Sequence, residues 1–133
     1  MPTITYIHPA DQPSGSKRLL AELKDGLTND QFSTFICCVA FAKVNPLHKL
    51  HHEIAQWRSS KKRILGIFGV DQFGTSREAV RYGLDNFNRL YITHFPVSSY
   101  HPKIYMFIGP FAARLWAPRK ISRPGEIPVE SSV

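Results

Sequence analysis

The chain has 133 residues, of which 43% are hydrophobic, and this is the size of one domain with one core, too short for two. Lys and Arg number 17 against 10 Asp and Glu, and the formal net charge of +7 favours polyanionic partners, nucleic acid first and an anionic membrane surface second. The sequence has neither a signal peptide nor the roughly 18 consecutive apolar residues of a membrane-spanning helix, so we expect a cytoplasmic protein without a membrane span.

The first predicted elements are a helix and a buried strand. After a Pro/Gly/Ser-rich loop at residues 8–16, leucines recur at helical spacing, with Ser16 as a possible N-cap and Gly26 near the C-terminus. Residues 32–42 are rich in aromatic and β-branched side chains and almost uncharged. This composition predicts a strand that is buried on both faces.

A second helix, a second strand and a third helix follow. An apolar stripe after Asn45 and Pro46 predicts a helix that runs to about Arg58. Residues 64–70 predict another buried strand, and a capping box at residues 75–78 predicts a helix that continues to about residue 85.

Two further strands, at 89–93 and 101–108, complete the predicted domain. The order of elements predicts an α/β fold with a mostly parallel central sheet flanked by helices. Beyond residue 115, prolines and a glycine interrupt a segment without any period. We therefore assign residues 1–115 to the domain and predict that 116–133 form a disordered or aberrant tail.

A loop with two glycines, residues 69–76, lies between the second strand and the third helix. Its glycine spacing is that of a phosphate-binding P-loop, but Thr75 stands where that motif requires lysine. We interpret it as a strand-to-helix turn in which Thr75 caps the helix. Asp71, at the carboxyl end of a strand, is a candidate substrate-binding residue.

The histidines and cysteines do not predict a metal site. His48 and His52 are four residues apart on a helix, with His51 between them, but a third ligand at characteristic spacing is missing. We interpret these histidines as surface residues. The adjacent Cys37 and Cys38 are expected to be buried free thiols, since they can form neither a framework disulfide nor a zinc site.

The segment His101-Pro102-Lys103 is the strongest candidate for chemistry. On a strand, positions two apart face the same side, so His101 and Lys103 would share one site, with Tyr105 next along it. A nucleophile beside a fixed positive charge suits phosphoryl transfer. A charged lysine that enters so apolar a strand is expected to have an anionic partner.

The stretch from residue 32 to 107 resembles the first half of a phospholipase D superfamily domain, in its nuclease and restriction-endonuclease-like branch. The matching pieces are the apolar strand 35–41, the Asp71 loop with residues 74–76, and the segment 100–107 with its His-x-Lys pair. The resemblance implies a phospholipase D-like sandwich.

The same resemblance implies roles for individual residues. His101 would be the nucleophile and Lys103 a phosphate ligand. Apart from the resemblance, we take Tyr105, Asp71 and Arg114 as substrate-binding candidates. In the family two His-x-Lys motifs build one site, a phosphohistidine forms, and no metal or other cofactor is used. One motif in this chain thus implies a homodimer.

The chain departs from the family pattern at two points. Ile108 replaces an acidic residue, and residues 116–120 stand where a Gly-Ser-x-Asn segment is expected. We therefore expect that the C-terminal part of the domain is missing, through truncation or a shift of reading frame near Trp116.

The expected function is metal-independent hydrolysis of phosphodiesters, with DNA as the substrate. Two alternatives stay open: a catalytically inactive, basic fragment that binds nucleic acid or dimerises, and a phosphodiesterase that acts on phospholipid.

Overall fold

The computed structural model describes residues 3–7, 19–40, 42–70, 75–94 and 103–118. Within these ranges it contains six strands and four helices. In chain order they are β1 (Thr3–Ile7), α1 (Leu19–Leu27), β2 (Thr34–Val39), α2 (Val44–Lys49), α3 (His51–Ser59), β3 (Arg63–Gly69), α4 (Arg77–Asn86), β4 (Arg89–Thr93), β5 (Lys103–Ile108) and β6 (Ala113–Pro118). None of these helices is long and apolar enough to cross a membrane.

The strands form one mixed sheet in the order β1-β6-β5-β2-β3-β4. Three neighbouring pairs are parallel, namely β1–β6, β2–β3 and β3–β4. The pairs β2–β5 and β5–β6 are antiparallel. The connection between β5 and β6 is too short for a parallel crossover, so these two strands pair as a hairpin. The predicted α/β class and mostly parallel pairing are confirmed.

The core lies between the helices and one face of the sheet. Alternate residues of the strands face the helices because side chains on a strand alternate between its two sides. The largest fully buried side chains of this cluster are Trp57, Trp116, Phe68, Phe107, Ile54 and Ile64. All four described helices contribute residues to this one cluster, so they all lie on the same face of the sheet.

Strand β6 places the end of the fold later than the sequence predicts. The predicted boundary after residue 115 falls inside β6, where Trp116 is fully buried and its ring lies 5.1 Å from that of Phe107. Strand β1, which the sequence analysis missed, pairs with β6 as far as Pro118. The domain therefore includes residues 116–118, and the rest of the predicted tail, 119–133, lies outside the described residues.

The predicted helix 45–58 is two helices, α2 and α3. The chain turns at Leu50, with φ −99° and ψ 0°, and its amide donates to the carbonyl of Leu47 at 3.1 Å. This hydrogen bond joins residues three positions apart, whereas an α-helical bond joins residues four apart. The last turn of α2 is therefore tighter than an α-helix, and the helix ends there. The turn buries Leu50 against the core.

Candidate active site

The candidate site lies at the edge of the sheet where β2 and β3 end and β5 begins. Val39, the last residue of β2, is the register partner of both Lys103 on β5 and Phe68 on β3. Because β5 runs against β2, its first residue lies beside the carboxyl ends of the parallel strands. Ligands of α/β sheets bind at this edge. His101 and Asp71, two of the predicted site residues, lie outside the described residues.

Lys103 is exposed at this edge. By strand alternation it lies on the same face as Tyr105, as the sequence predicts, and this is the helix-facing side of the sheet, where Phe107 also lies. Among the described residues, no carboxylate lies within salt-bridge distance of its ammonium group. The expectation that Lys103 has an anionic partner stays a prediction, since Asp71 and the acidic residues after 118 lie outside the described residues.

Tyr105 lies further inside the fold than Lys103. It is paired in register with Cys37 and packs against the core cluster. Burial, and then the neighbouring Cys37, raise the pKa of Tyr105 above its usual range, so the phenol stays protonated. Tyr105 and Lys103 are two positions apart on the strand, a distance of about 7 Å.

Arg114 is placed away from Lys103. Its guanidinium donates to Asp25 on α1 at 2.8 Å and lies over the rings of Phe32 and Trp116. Arg114 pairs in register with Phe107, four residues along β5 from Lys103, or about 13 Å. The structure therefore does not bring Arg114 and Lys103 together, and Arg114 ties α1 to the sheet.

Thr75 joins the loops at the candidate edge. Its hydroxyl contacts the carbonyls of Ala40 and Gly69 and accepts a hydrogen bond from the amide of Ala42. The predicted N-cap is therefore displaced by one residue: Ser76 accepts from the Ala79 amide and caps α4. Sequence reasoning missed the role of Thr75, because it connects residues more than 30 positions apart.

The histidines of α2 and α3 are exposed, as predicted. His51 Nδ1 lies 2.7 Å from the hydroxyl of Tyr82 on α4, and the ring of His48 also approaches this tyrosine. Burial raises the pKa of Tyr82 to about 12, so its hydroxyl remains protonated beside His51. The described residues hold no cluster of His, Cys, Asp and Glu that could bind a metal ion.

Cys37 and Cys38 are buried and neither forms a disulfide bond, as predicted. They face opposite sides of the sheet because they are adjacent on a strand. Burial, and secondly the charge of Cys38, raise the pKa of Cys37 from its ordinary value of 9.0 to about 12. Cys37 is therefore an unreactive thiol at neutral pH.

We expect this buried thiol to make the fold sensitive to alkaline pH. Between pH 9 and 12 the folded chain keeps the Cys37 proton that the unfolded chain loses, so stability falls as pH rises. From pH 8 to pH 10 the wild type should lose about 1 kcal/mol more unfolding free energy than Cys37→Ala. Urea unfolding of both proteins at the two pH values measures this difference. Equal losses in the two proteins would show that Cys37 titrates normally.

A cavity of about 510 Å³ lies between the helices and the sheet, next to the candidate edge. Leu20, Leu23 and Leu47 line it on the helix side. Cys37 and Tyr105 line it on the sheet side. Sequence analysis did not predict it, since it depends on how α1 and α2 are spaced above the sheet.

Comparison with protein-family models and with curated proteins finds no match to the chain. The resemblance of residues 32–107 to the phospholipase D superfamily therefore stays a prediction.

Proposed function

We propose that the chain is a metal-independent phosphodiesterase that cleaves DNA. The observation that carries the proposal is the position of Lys103: its exposed ammonium stands at the carboxyl edge of β2 and β3, two residues after His101. A cation at this edge can neutralise the oxygens of a phosphate that a neighbouring imidazole attacks. The net charge of +7 favours a polyanion such as DNA as the substrate.

The proposed reaction has two steps. The imidazole of His101 attacks phosphorus, a P–N bond forms, and the P–O bond to the leaving strand breaks as a second histidine protonates the leaving oxygen. Water, deprotonated by that second histidine, then attacks the phosphohistidine and releases His101. Lys103 holds the phosphate oxygens in both steps. A second copy of the chain supplies the second His-x-Lys pair, so the active species is a homodimer.

Removal of His101 is expected to abolish the reaction. Wild-type protein should cleave DNA in EDTA, and His101→Ala should lower the rate at least about 1,000-fold. His52→Ala, which removes an exposed histidine on α3, is the matched control and should cleave at the wild-type rate. Cleavage that stops in EDTA, or a strictly monomeric active protein by light scattering, would contradict the proposal.

The second candidate function is nucleic-acid binding without cleavage. It is favoured by β6, where the family pattern requires Gly-Ser-x-Asn and this chain has Trp116 buried in the core. Binding of DNA that weakens steeply with salt, without cleavage by the wild type, supports this function over the first.

A further inference from the structure

The cavity between the helices and the sheet has the size and lining of a ligand site. Its volume of about 510 Å³ lies in the range of small-molecule pockets, roughly 300–1,000 Å³. Leucines of α1 and α2 form one wall, and Phe35, Phe68 and Phe87 extend the apolar lining. An apolar lining of this kind suits a hydrocarbon chain, because burial of apolar surface drives binding.

The polar groups inside the cavity carry no charge at neutral pH. Cys37 and Tyr105 both line it, and burial raises the pKa of each, so the thiol and the phenol are protonated. Neither group can neutralise a charged ligand head. The charged end of a ligand must therefore lie at the mouth.

The mouth of the cavity is basic. The exposed residues of its lining are Lys43, Pro46 and Lys49, which flank α2 or belong to it. The described lining contains no Asp or Glu. Within the described residues no carboxylate lies in salt-bridge range of Lys43 or Lys49. Two cations beside an apolar cavity complement a ligand with an anionic head and an apolar chain.

We propose that this cavity binds a single-chain anionic amphiphile of the fatty-acid type. Its alkyl chain packs among the leucines and phenylalanines, and its head pairs with Lys43 and Lys49 at the mouth. A long-chain carboxylate and a lipid with a phosphate head share this chemistry. The site does not depend on phosphodiester hydrolysis.

Calorimetric titration of the full chain with dodecanoate, below its micelle concentration, tests the site. Dodecanoate should bind, and the double variant Lys43→Gln/Lys49→Gln should bind it at least about 10-fold more weakly. The matched control Lys61→Gln/Arg81→Gln also removes two positive charges, but from exposed positions outside the cavity, and it should bind dodecanoate as the wild type does. Dodecanol, which lacks the charge, should bind about as weakly to the wild type as dodecanoate binds to the double variant.

A second variant tests the apolar part of the site. Leu47 lines the cavity and is only partly buried, so Leu47→Phe should fill space there and weaken dodecanoate binding while thermal unfolding shows that the protein still folds. Tighter binding of dodecyl phosphate than of dodecanoate assigns the ligand to phosphate-headed lipids, and the reverse assigns it to fatty acids. Failure of both amphiphiles to bind the wild type overturns the proposal, as does binding that neither the lysine variants nor Leu47→Phe weaken.

Discussion

Phe107→Ala should lower the free energy of unfolding by about 3–5 kcal/mol, the cost of emptying a buried aromatic position. Phe107 is fully buried at the centre of an aromatic cluster. Its ring is stacked on Phe35 at 4.4 Å and lies 5.1 Å from Trp116, 5.6 Å from Phe32 and 5.8 Å from Trp57. These four neighbours belong to three parts of the chain that cannot all move into the space, so a cavity remains. Urea unfolding monitored by circular dichroism measures the loss.

Phe111→Ala is the matched control, because Phe111 is 92% exposed in the turn that follows β5. Its loss should change stability by no more than about 0.5 kcal/mol. Gly26 provides a further check, since a Cβ at this position would lie 2.5 Å from the Phe107 ring. Gly26→Ala should therefore cost less in the Phe107→Ala background than in the wild type. Similar losses for Phe107→Ala and Phe111→Ala would contradict the described core.

The strands that the sequence predicts best are those with the strongest apolar runs. The run 32–42 contains β2, and the run 64–70 covers all of β3 except Arg63, because central strands of a sheet carry few polar residues. Strand β1 was missed. Its five residues are all β-branched or aromatic and favour a strand, but nothing local shows that they pair with β6, more than 100 residues later. Pairing between distant segments determines which strand forms the edge of a sheet, and a short sequence segment does not show its pairing partner.

The predicted end of the domain, residue 115, lies three residues before the end of β6, and the reason is similar. Pro118 and the basic residues after it suggested that the fold stops at 115. Proline is tolerated at the end of a strand, and Pro118 is the last residue of β6. Trp116 is buried because its side chain faces the aromatic cluster, a fact that depends on the register of β6 against β5.

The candidate site was predictable only in part. Strand alternation places Lys103 and Tyr105 on one face, and this follows from residue spacing alone. The contact of Arg114 with Asp25 joins residues 89 positions apart, so sequence spacing could not show that Arg114 packs against α1. The cavity could not be predicted from the sequence either, since its lining comes from helices and strands that only the fold brings together.

Lys103→Ala is expected to lower the rate of DNA cleavage by about 100- to 1,000-fold, the usual cost of removing one preorganised group that stabilises transition-state charge. Lys103→Arg keeps the charge but changes its shape and reach, so it should restore only part of the activity. The affinity for DNA should fall little. The slope of log K against log salt concentration should become shallower by about 0.9, the loss of one phosphate contact. Single-turnover cleavage and binding at several salt concentrations separate the two effects.

Because Lys103 is exposed and makes no salt bridge to a described carboxylate, its replacement by alanine should alter stability by no more than about 0.5 kcal/mol. A loss of cleavage with unchanged unfolding would therefore report on the chemistry rather than on the fold. Arg81→Ala provides the control, since Arg81 pairs with Asp85 on the exposed side of α4, and it should cleave DNA as the wild type does. If Lys103→Ala cleaves at the wild-type rate, the phosphate at the scissile bond is held elsewhere, and the assignment of this edge as the active site fails.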